Sequence, residues 1–231
     1  MNHRCWKLCP SDLTFLWEEC ARCFYLKNVS GISRPRGIMP AIFNQIDAKM
    51  KACYLNSRTD EISPELPRGV IAYGEHWVQS EPLALPGRES TVVLRGKFDT
   101  AARFDDDTFG LLDFKTSVPR PESIERYSRQ LHAYALAVEH PAPRAFALGK
   151  VSKLGLLVFE PDRFVQRHGK DDHINGYFGG ALHWIDIPRN DDRFLQFLDQ
   201  VVAVLEQPAP PAPAHTCGYC AYLAAGQRVG V

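Results

Sequence analysis

Three short motifs in the middle of the chain contain the residues most able to do chemistry. A Gly-x-x-Asp motif ends at Asp99, an Asp-x-Lys motif spans residues 113–115, and a Gln-x-x-x-Tyr motif spans residues 130–134. Asp113 and Lys115 are two residues apart on a predicted strand, so both side chains point to the same face. A hairpin would bring Asp99 beside them. Two carboxylates and one lysine can therefore converge.

The chemistry that this set suggests is hydrolysis of a phosphodiester. Two carboxylates favour Mg²⁺ or Mn²⁺, which also accept water and substrate phosphate as ligands. Such a metal polarises a phosphoryl oxygen and acidifies water, and a neighbouring lysine can orient that water or stabilise the developing charge. Gln130 and Tyr134 are four residues apart on a predicted helix and share a face. They could hold a phosphate or the lysine.

The cysteines form a second candidate site. The chain has seven cysteines, and two C-x2-C pairs lie near its two ends, at Cys20, Cys23, Cys217 and Cys220. Four such ligands are enough for one tetrahedral zinc ion or one cubic iron–sulfur cluster. Cys5 and Cys9 are competing ligands. Either metal group would tie the two ends of the chain together.

Composition narrows the class of protein. The 231 residues include 27 Lys plus Arg against 27 Asp plus Glu, and 45% are hydrophobic, which is typical of globular proteins. The charge balance excludes a generally basic nucleic-acid coat but allows a local positive groove. We find neither an apolar run long enough to span a membrane nor a secretory signal. We therefore expect a cytoplasmic protein that uses its cysteines for metal rather than for disulfides.

Hydrophobic periodicity predicts helices alternating with strands. The predicted helices are 11–27, 41–54, 122–139 and 191–206. The predicted strands are 77–81, 91–98, 109–115, 154–159 and 182–187. Residues 57–69 are predicted to be a mobile connection, and 208–214 a stiff Pro-rich spacer. We expect one α/β domain over residues 1–231, in which the strands from 77 to 115 form a meander.

The order of the three motifs resembles that of the PD-(D/E)XK nuclease superfamily. Within it, the chain is similar to the RecB-like branch, which includes CRISPR-associated iron–sulfur exonucleases and AddB-type helicase-nucleases. The likeness covers residues 75–159 as the core and, more loosely, both cysteine ends. It implies a restriction-endonuclease-like fold, a mixed sheet flanked by helices. The cysteine segments 5–23 and 215–223 would then be brought together.

The resemblance also implies roles for individual residues. The catalytic side chains would be Asp99, Asp113, Lys115, Gln130 and Tyr134. Asp99 and Asp113 would bind Mg²⁺ or Mn²⁺ together with the backbone carbonyl of Phe114. Lys115 would position the nucleophilic water, and Gln130 and Tyr134 would be an accessory pair. Because RecB-like members use cysteines from both ends of the nuclease domain, a 4Fe-4S cluster is favoured over zinc.

One departure from the family pattern concerns a third metal ligand. RecB-like nucleases usually carry a histidine on an early helix, but the predicted helix 41–54 contains none. Asp47 or Glu81 could take its place. We expect Glu81, because it lies on a predicted strand of the same meander. If neither residue compensates, metal would bind weakly and the protein would be a catalytically weak nucleic-acid-binding or scaffold protein.

The resemblance therefore implies a Mg²⁺-dependent deoxyribonuclease in DNA repair, recombination or defence. Its partner would be DNA, either single-stranded or at ends, with a helicase or other DNA-processing protein as a further partner. We expect no membrane association.

Overall fold

The structure is a computed structural model that describes residues 4–35, 37, 40–168 and 174–228. It contains two β-sheets with helices packed around them. This confirms the predicted α/β class of a mixed sheet flanked by helices. None of the helices in the described part of the chain is both long and apolar enough to cross a membrane.

The first sheet is built around strand β5 (Thr91–Phe98). Strand β1 (Cys5–Leu8) pairs with β5 in parallel, and strands β3 (His76–Gln79) and β4 (Leu83–Ala84) pair with it in the antiparallel direction. Valine and threonine favour a strand here because their branched side chains pack well on a pleated surface. Most side chains of β5 are buried, so β5 anchors this sheet in the core.

The second sheet has five strands in the order β2-β6-β7-β8-β9. They are β2 (Gly69–Tyr73), β6 (Thr100–Phe104), β7 (Phe109–Thr116), β8 (Val151–His168) and β9 (Ile174–Ile187). Among the described strands of this sheet, β7 and β8 pair in parallel and the other neighbours pair in the antiparallel direction. β7 is the central strand, and residues 110–114 are all buried. A charged residue on β7 therefore needs a partner.

A bend at Asp99 joins β5 to β6 and so connects the two sheets. The predicted meander is wrong in this respect, because β5 and β7 belong to different sheets. Strand β6 was not predicted at all. Its two alanines have low strand propensity, and it is held as a strand by pairing with β2 on one side and β7 on the other.

Three predicted helices are present with nearly the predicted bounds. They are α3 (Ala41–Tyr54), α4 (Pro121–Glu139) and α5 (Asp191–Leu205). Helix α4 begins with a proline, whose missing N–H costs nothing in the first turn. It buries one long face, including Leu131 and Tyr134, in the main core.

The predicted helix 11–27 is broken in the structure. A π-helical turn (Asp12–Leu16) leads into α1 (Trp17–Glu19), and after Cys20 the chain continues as α2 (Ala21–Ser30). The break lies at Cys20, whose backbone is extended, with φ −166° and ψ 106°. Hydrophobic periodicity does not reveal such a break, because the apolar spacing continues across it.

Two other segments differ from their predictions. Strands β8 and β9 extend well beyond residues 154–159 and 182–187 as one long hairpin, since their outer parts alternate with polar residues and lack a continuous apolar run. The connection 57–69 contains a 3-10 turn (Thr59–Glu61) and is anchored by buried Thr59, whose Oγ1 donates to the carbonyl of Pro67 at 2.6 Å.

The last helix, α6 (Gly218–Arg228), follows the Pro-rich spacer.

Candidate functional site

A cleft of about 400 Å³ lies between helices α3 and α4 and the end of strand β7. Its charged lining residues are Asp47, Lys51, Asp99, Asp113 and Lys115. Three of these come from the sequence motifs, and two come from α3. The cleft therefore brings together the two carboxylates and the lysine that were predicted to converge.

The bend after β5 places Asp99 beside β7. The pairing of Thr100 with Leu112 sets the register of the β6–β7 hairpin. As a result, the Oδ2 atom of Asp99 accepts a hydrogen bond of 3.3 Å from the backbone N–H of Phe114. Asp99 thus contacts the residue next to Asp113, and both carboxylates line the same cleft.

Asp113 and Lys115 form an ion pair on β7, with Nζ 2.5 Å from Oδ2. Asp113 is buried, and burial raises its pKa to about 7; the charge of Lys115 lowers this pKa, and the nearby Asp99 carboxylate raises it. For Lys115, burial alone would lower the pKa, but the charge and hydrogen bond of Asp113, together with the charge of Asp99, outweigh burial and raise the pKa. The Lys115 ammonium also lies 4.8 Å from the ring centre of Tyr127.

Two residues of helix α4, Gln130 and Tyr134, make hydrogen bonds next to the two carboxylates. The Nε2 atom of Gln130 lies 3.5 Å from both the Oδ1 atom of Asp113 and the hydroxyl of Tyr134. The Tyr134 hydroxyl donates a hydrogen bond of 2.7 Å to the carbonyl of Lys97 on β5. Gln130 lines the cleft, whereas Tyr134 fastens α4 to the strand that leads to Asp99.

Lys51 on helix α3 is a site residue that the sequence reasoning missed. Its Nζ atom contacts three carboxylates, those of Asp47 (2.7 Å), Glu75 (2.7 Å) and Asp99 (2.8 Å). Burial alone would lower the pKa of this lysine, but the three hydrogen bonds raise it above its usual value. The i,i+4 spacing of Asp47 and Lys51 was the available signal, since it places both on one helix face.

The expected third ligand, Glu81, lies away from the cleft. Its N–H donates a hydrogen bond of 2.8 Å to the carbonyl of His140, at the C-terminal end of α4. His140 is ten residues beyond Gln130, which corresponds to about 15 Å along a helix. Of the two candidates for a third ligand, Asp47 is therefore the one that lines the cleft, and Glu81 is not among its lining residues. Glu81 lies away from the cleft because β3 runs antiparallel to β5, so that His76 rather than Glu81 lies opposite Phe98, the residue before Asp99.

The side-chain oxygen atoms in the cleft suit a hard divalent cation. Among the described residues, Oδ2 of Asp113 is buried with no hydrogen-bond partner besides its ion pair with Lys115, and Oε1 of Gln130 is buried with none. A buried carboxylate beside a second carboxylate is costly unless a cation compensates it. Oxygen ligands of this kind are those that Mg²⁺ and Mn²⁺ prefer. The side chains thus fit the metal implied by the sequence.

The four predicted cysteines come together at a separate place. Cys20 and Cys23 flank the start of α2, and Cys217 and Cys220 flank the start of α6. Their sulfur atoms all lie within 4.8 Å of one another. Cys5 and Cys9 do not belong to this group. Four thiols at this spacing can hold a metal.

A comparison with known protein families gives a match over most of the chain. A family model described as the PD-(D/E)XK nuclease superfamily matches residues 51–225. A solved structure titled "Crystal structure of SSO0001" is similar with 14% sequence identity and a TM-score of 0.46, covering 89% of this chain and 79% of that chain. No curated protein matches the chain. The matched range begins at Lys51 and contains all three sequence motifs.

Proposed function

Because the chain belongs to the PD-(D/E)XK nuclease superfamily, we propose that it is a Mg²⁺- or Mn²⁺-dependent deoxyribonuclease. The observation that carries this proposal is the buried Asp113 carboxylate, with Asp99 and Lys115 beside it in an open cleft. A purely structural ion pair at this position would be costly, because burying charge often costs as much as pairing returns. A catalytic role accounts for that cost.

Each residue has a distinct role in the proposed reaction. Asp99, Asp113 and the Phe114 carbonyl would hold the metal, which would supply polarisation of the phosphoryl group and a more acidic water molecule. Lys115 orients the water and stabilises negative charge on the phosphate. Gln130 restrains Asp113 through its side-chain amide. Tyr134 holds α4 against β5 and so sets the distance between the two carboxylates.

Asp47 supports the enzymatic proposal over the catalytically weak alternative. That alternative rests on the lack of an early-helix histidine. Asp47 is on the early helix α3 and lines the same cleft as Asp99 and Asp113. A carboxylate is a suitable Mg²⁺ ligand, directly or through water, so Asp47 can compensate for the histidine.

The proposed substrate is single-stranded DNA or a DNA end. Two aromatic rings at the cleft, Phe15 and Phe43, are 46% and 43% exposed. Exposed aromatic side chains give unpaired bases a surface on which to stack. We further propose one nuclease domain in a cytoplasmic protein of DNA repair, recombination or defence, acting with a helicase or other DNA-processing partner. The free thiols of the described cysteines suit a reducing compartment.

The test compares variants of the cleft with a matched pair on the same sheet. Asp113→Asn and Lys115→Met should each lower Mg²⁺-dependent cleavage of labelled single-stranded DNA by about two orders of magnitude or more. The control pair is Asp186→Asn and Lys153→Met, since these residues form an ion pair of 3.0 Å outside the cleft. The controls should cleave as the wild type does.

Two results would contradict the proposal. Unchanged cleavage by purified Asp113→Asn protein would show that Asp113 is not catalytic. Equal losses in the control pair would show that the effect is one of stability. Parallel assays on duplex DNA, single-stranded DNA and RNA of the same sequence test the proposed substrate, and preferential cleavage of RNA would refute it.

A further inference from the structure

The spacing of the cysteine sulfurs distinguishes between two kinds of metal group. The Sγ–Sγ distances are 3.5 Å for Cys23 and Cys220, 3.8 Å for Cys23 and Cys217, and 3.9 Å for Cys20 and Cys220. The largest separation within the group of four is no more than 4.8 Å. These distances are too long for disulfides, and the four thiols are free.

The two candidate groups require different spacings. Around one zinc ion, sulfur–zinc bonds of about 2.3 Å place four sulfurs about 3.8 Å apart at the corners of a tetrahedron. In a cubic iron–sulfur cluster, each cysteine binds a different iron, so the sulfurs stand farther out, about 6 Å apart. The observed spacing matches the single ion and is too small to enclose a cluster.

We propose that Cys20, Cys23, Cys217 and Cys220 bind a single tetrahedral Zn²⁺ ion. The 4Fe-4S cluster that the family resemblance implies does not fit between these sulfurs. The proposal concerns a site separate from the nuclease cleft, and it stands whether or not the chain cleaves DNA.

A nearby cation suits the charge of such a site. Four thiolates around Zn²⁺ leave two net negative charges. The Nη1 atom of Arg34 lies 4.0 Å from Sγ of Cys217. Glu19 holds the Arg34 guanidinium through two hydrogen bonds of 2.6 Å, which fixes its position beside the sulfurs. An oriented, partly buried arginine offsets part of the negative charge.

The ion would also account for how the last helix is attached. Among its described residues α6 contributes no buried side chain, and Tyr222 is 75% exposed. The cysteine pair at its start is therefore its main link to α2. Because a structural zinc site contributes its binding energy to folding, the ion would hold α6 and the end of the Pro-rich spacer to the body of the protein.

The first experiment is metal analysis of the full chain, purified anaerobically from cells grown with added iron. We expect about one zinc per chain, no acid-labile sulfide and no visible absorption. Iron and sulfide in equal amounts, with broad visible absorption, would overturn the proposal. One iron per chain without sulfide would overturn the assignment to zinc.

The second experiment tests the ligands. Replacement of the ion by Co²⁺ should give the intense visible bands of a tetrahedral tetrathiolate, reaching saturation at about one equivalent. Cys23→Ser should lose these bands, whereas Cys53→Ser, an exposed cysteine on α3, should keep them. If Cys23→Ser protein does not fold, cobalt titration of the metal-free wild type remains decisive, and saturation with octahedral bands would refute the site.

A third readout follows the C-terminal helix. In metal-free protein and in the Cys23→Ser variant, a non-specific protease should cut within 208–220 much faster than in the zinc-loaded wild type. The body of the protein should stay intact under the same conditions. Equal rates of cleavage with and without metal would show that the ion does not hold α6.

Discussion

Lys51 donates a hydrogen bond of 2.8 Å from its Nζ atom to the Oδ1 atom of Asp99. The same carboxylate is a proposed metal ligand, so the ammonium group and the metal share a binding partner. The Lys51 side chain is only 14% exposed, and two charges a few Å apart at such a site interact by about 1 kcal/mol or more. Metal binding therefore has to work against the charge of this lysine.

The first prediction is that Lys51→Met tightens metal binding. Removing one positive charge beside the carboxylates should lower the Mn²⁺ concentration for half-maximal binding by about tenfold. Isothermal titration with Mn²⁺ measures this without requiring cleavage. Lys49→Met is the matched control, since Lys49 is on the same helix but does not line the cleft. Weaker binding in Lys51→Met would mean that Lys51 orders the carboxylates rather than competing with metal.

The second prediction separates the two candidates for a third ligand. Asp47→Asn should raise the Mg²⁺ concentration needed for half-maximal cleavage by about fivefold or more, because a carboxylate in the cleft is lost. Glu81→Gln should leave it unchanged, because Glu81 pairs with His140 at the far end of α4. The measurement is the Mg²⁺ dependence of the initial rate. The opposite pattern in the two variants would restore Glu81 and exclude Asp47.

The contrast between Lys115 and Lys51 illustrates how far sequence reasoning reaches. Lys115 could be predicted because its face depends only on its two-residue spacing from Asp113 along one strand. Lys51 could not, because it reaches Asp99 only through the docking of α3 against β7. Glu81 was misplaced for a similar reason, since the register of short strands depends on distant partners. The pairing of the cysteine motifs was predictable, but the sulfur spacing depends on the extended backbone at Cys20.

The third prediction concerns Gly96, the first residue of the Gly-x-x-Asp motif. A Cβ atom there would lie 2.9 Å from Cδ of Pro10 and 3.1 Å from Cε1 of Tyr134. Gly96→Ala should therefore displace Tyr134, cost about 1–3 kcal/mol of stability and lower cleavage by more than the stability loss explains. Gly74→Ala is the control, since its Cβ would meet nothing within 4 Å.

Two measurements separate these effects. Urea unfolding gives the change in stability, and the rate of cleavage is measured well below the unfolding transition. If Gly96→Ala loses stability while its cleavage rate stays at the wild-type level, the position of Tyr134 does not set the catalytic geometry.

The last prediction concerns His132, a buried histidine that joins α4 to the start of α5. Its Nδ1–H donates to the carbonyl of Ser128 at 2.7 Å, and its Nε2 accepts from the backbone N–H of Asn190 at 2.8 Å. Both contacts require the neutral ring, because a protonated Nε2 would face a second donor. Burial lowers the pKa of His132 below its usual value of 6.5.

The sign of the pH effect follows from this lowered pKa. As the pH falls below 6.5, the unfolded chain takes up a proton at His132 before the folded chain does, so folding becomes less favourable. The urea concentration at the midpoint of unfolding should decrease when the pH is lowered from about 7.5 to about 5.5. In His132→Gln this midpoint should decrease less, because the amide side chain does not titrate. His140→Gln, at an exposed histidine, is the control and should follow the wild type. Loss of metal from the cysteines at low pH would lower all three curves alike, so the difference between variants isolates His132. Parallel curves for His132→Gln and wild type would mean that the folded protein accepts the charged ring.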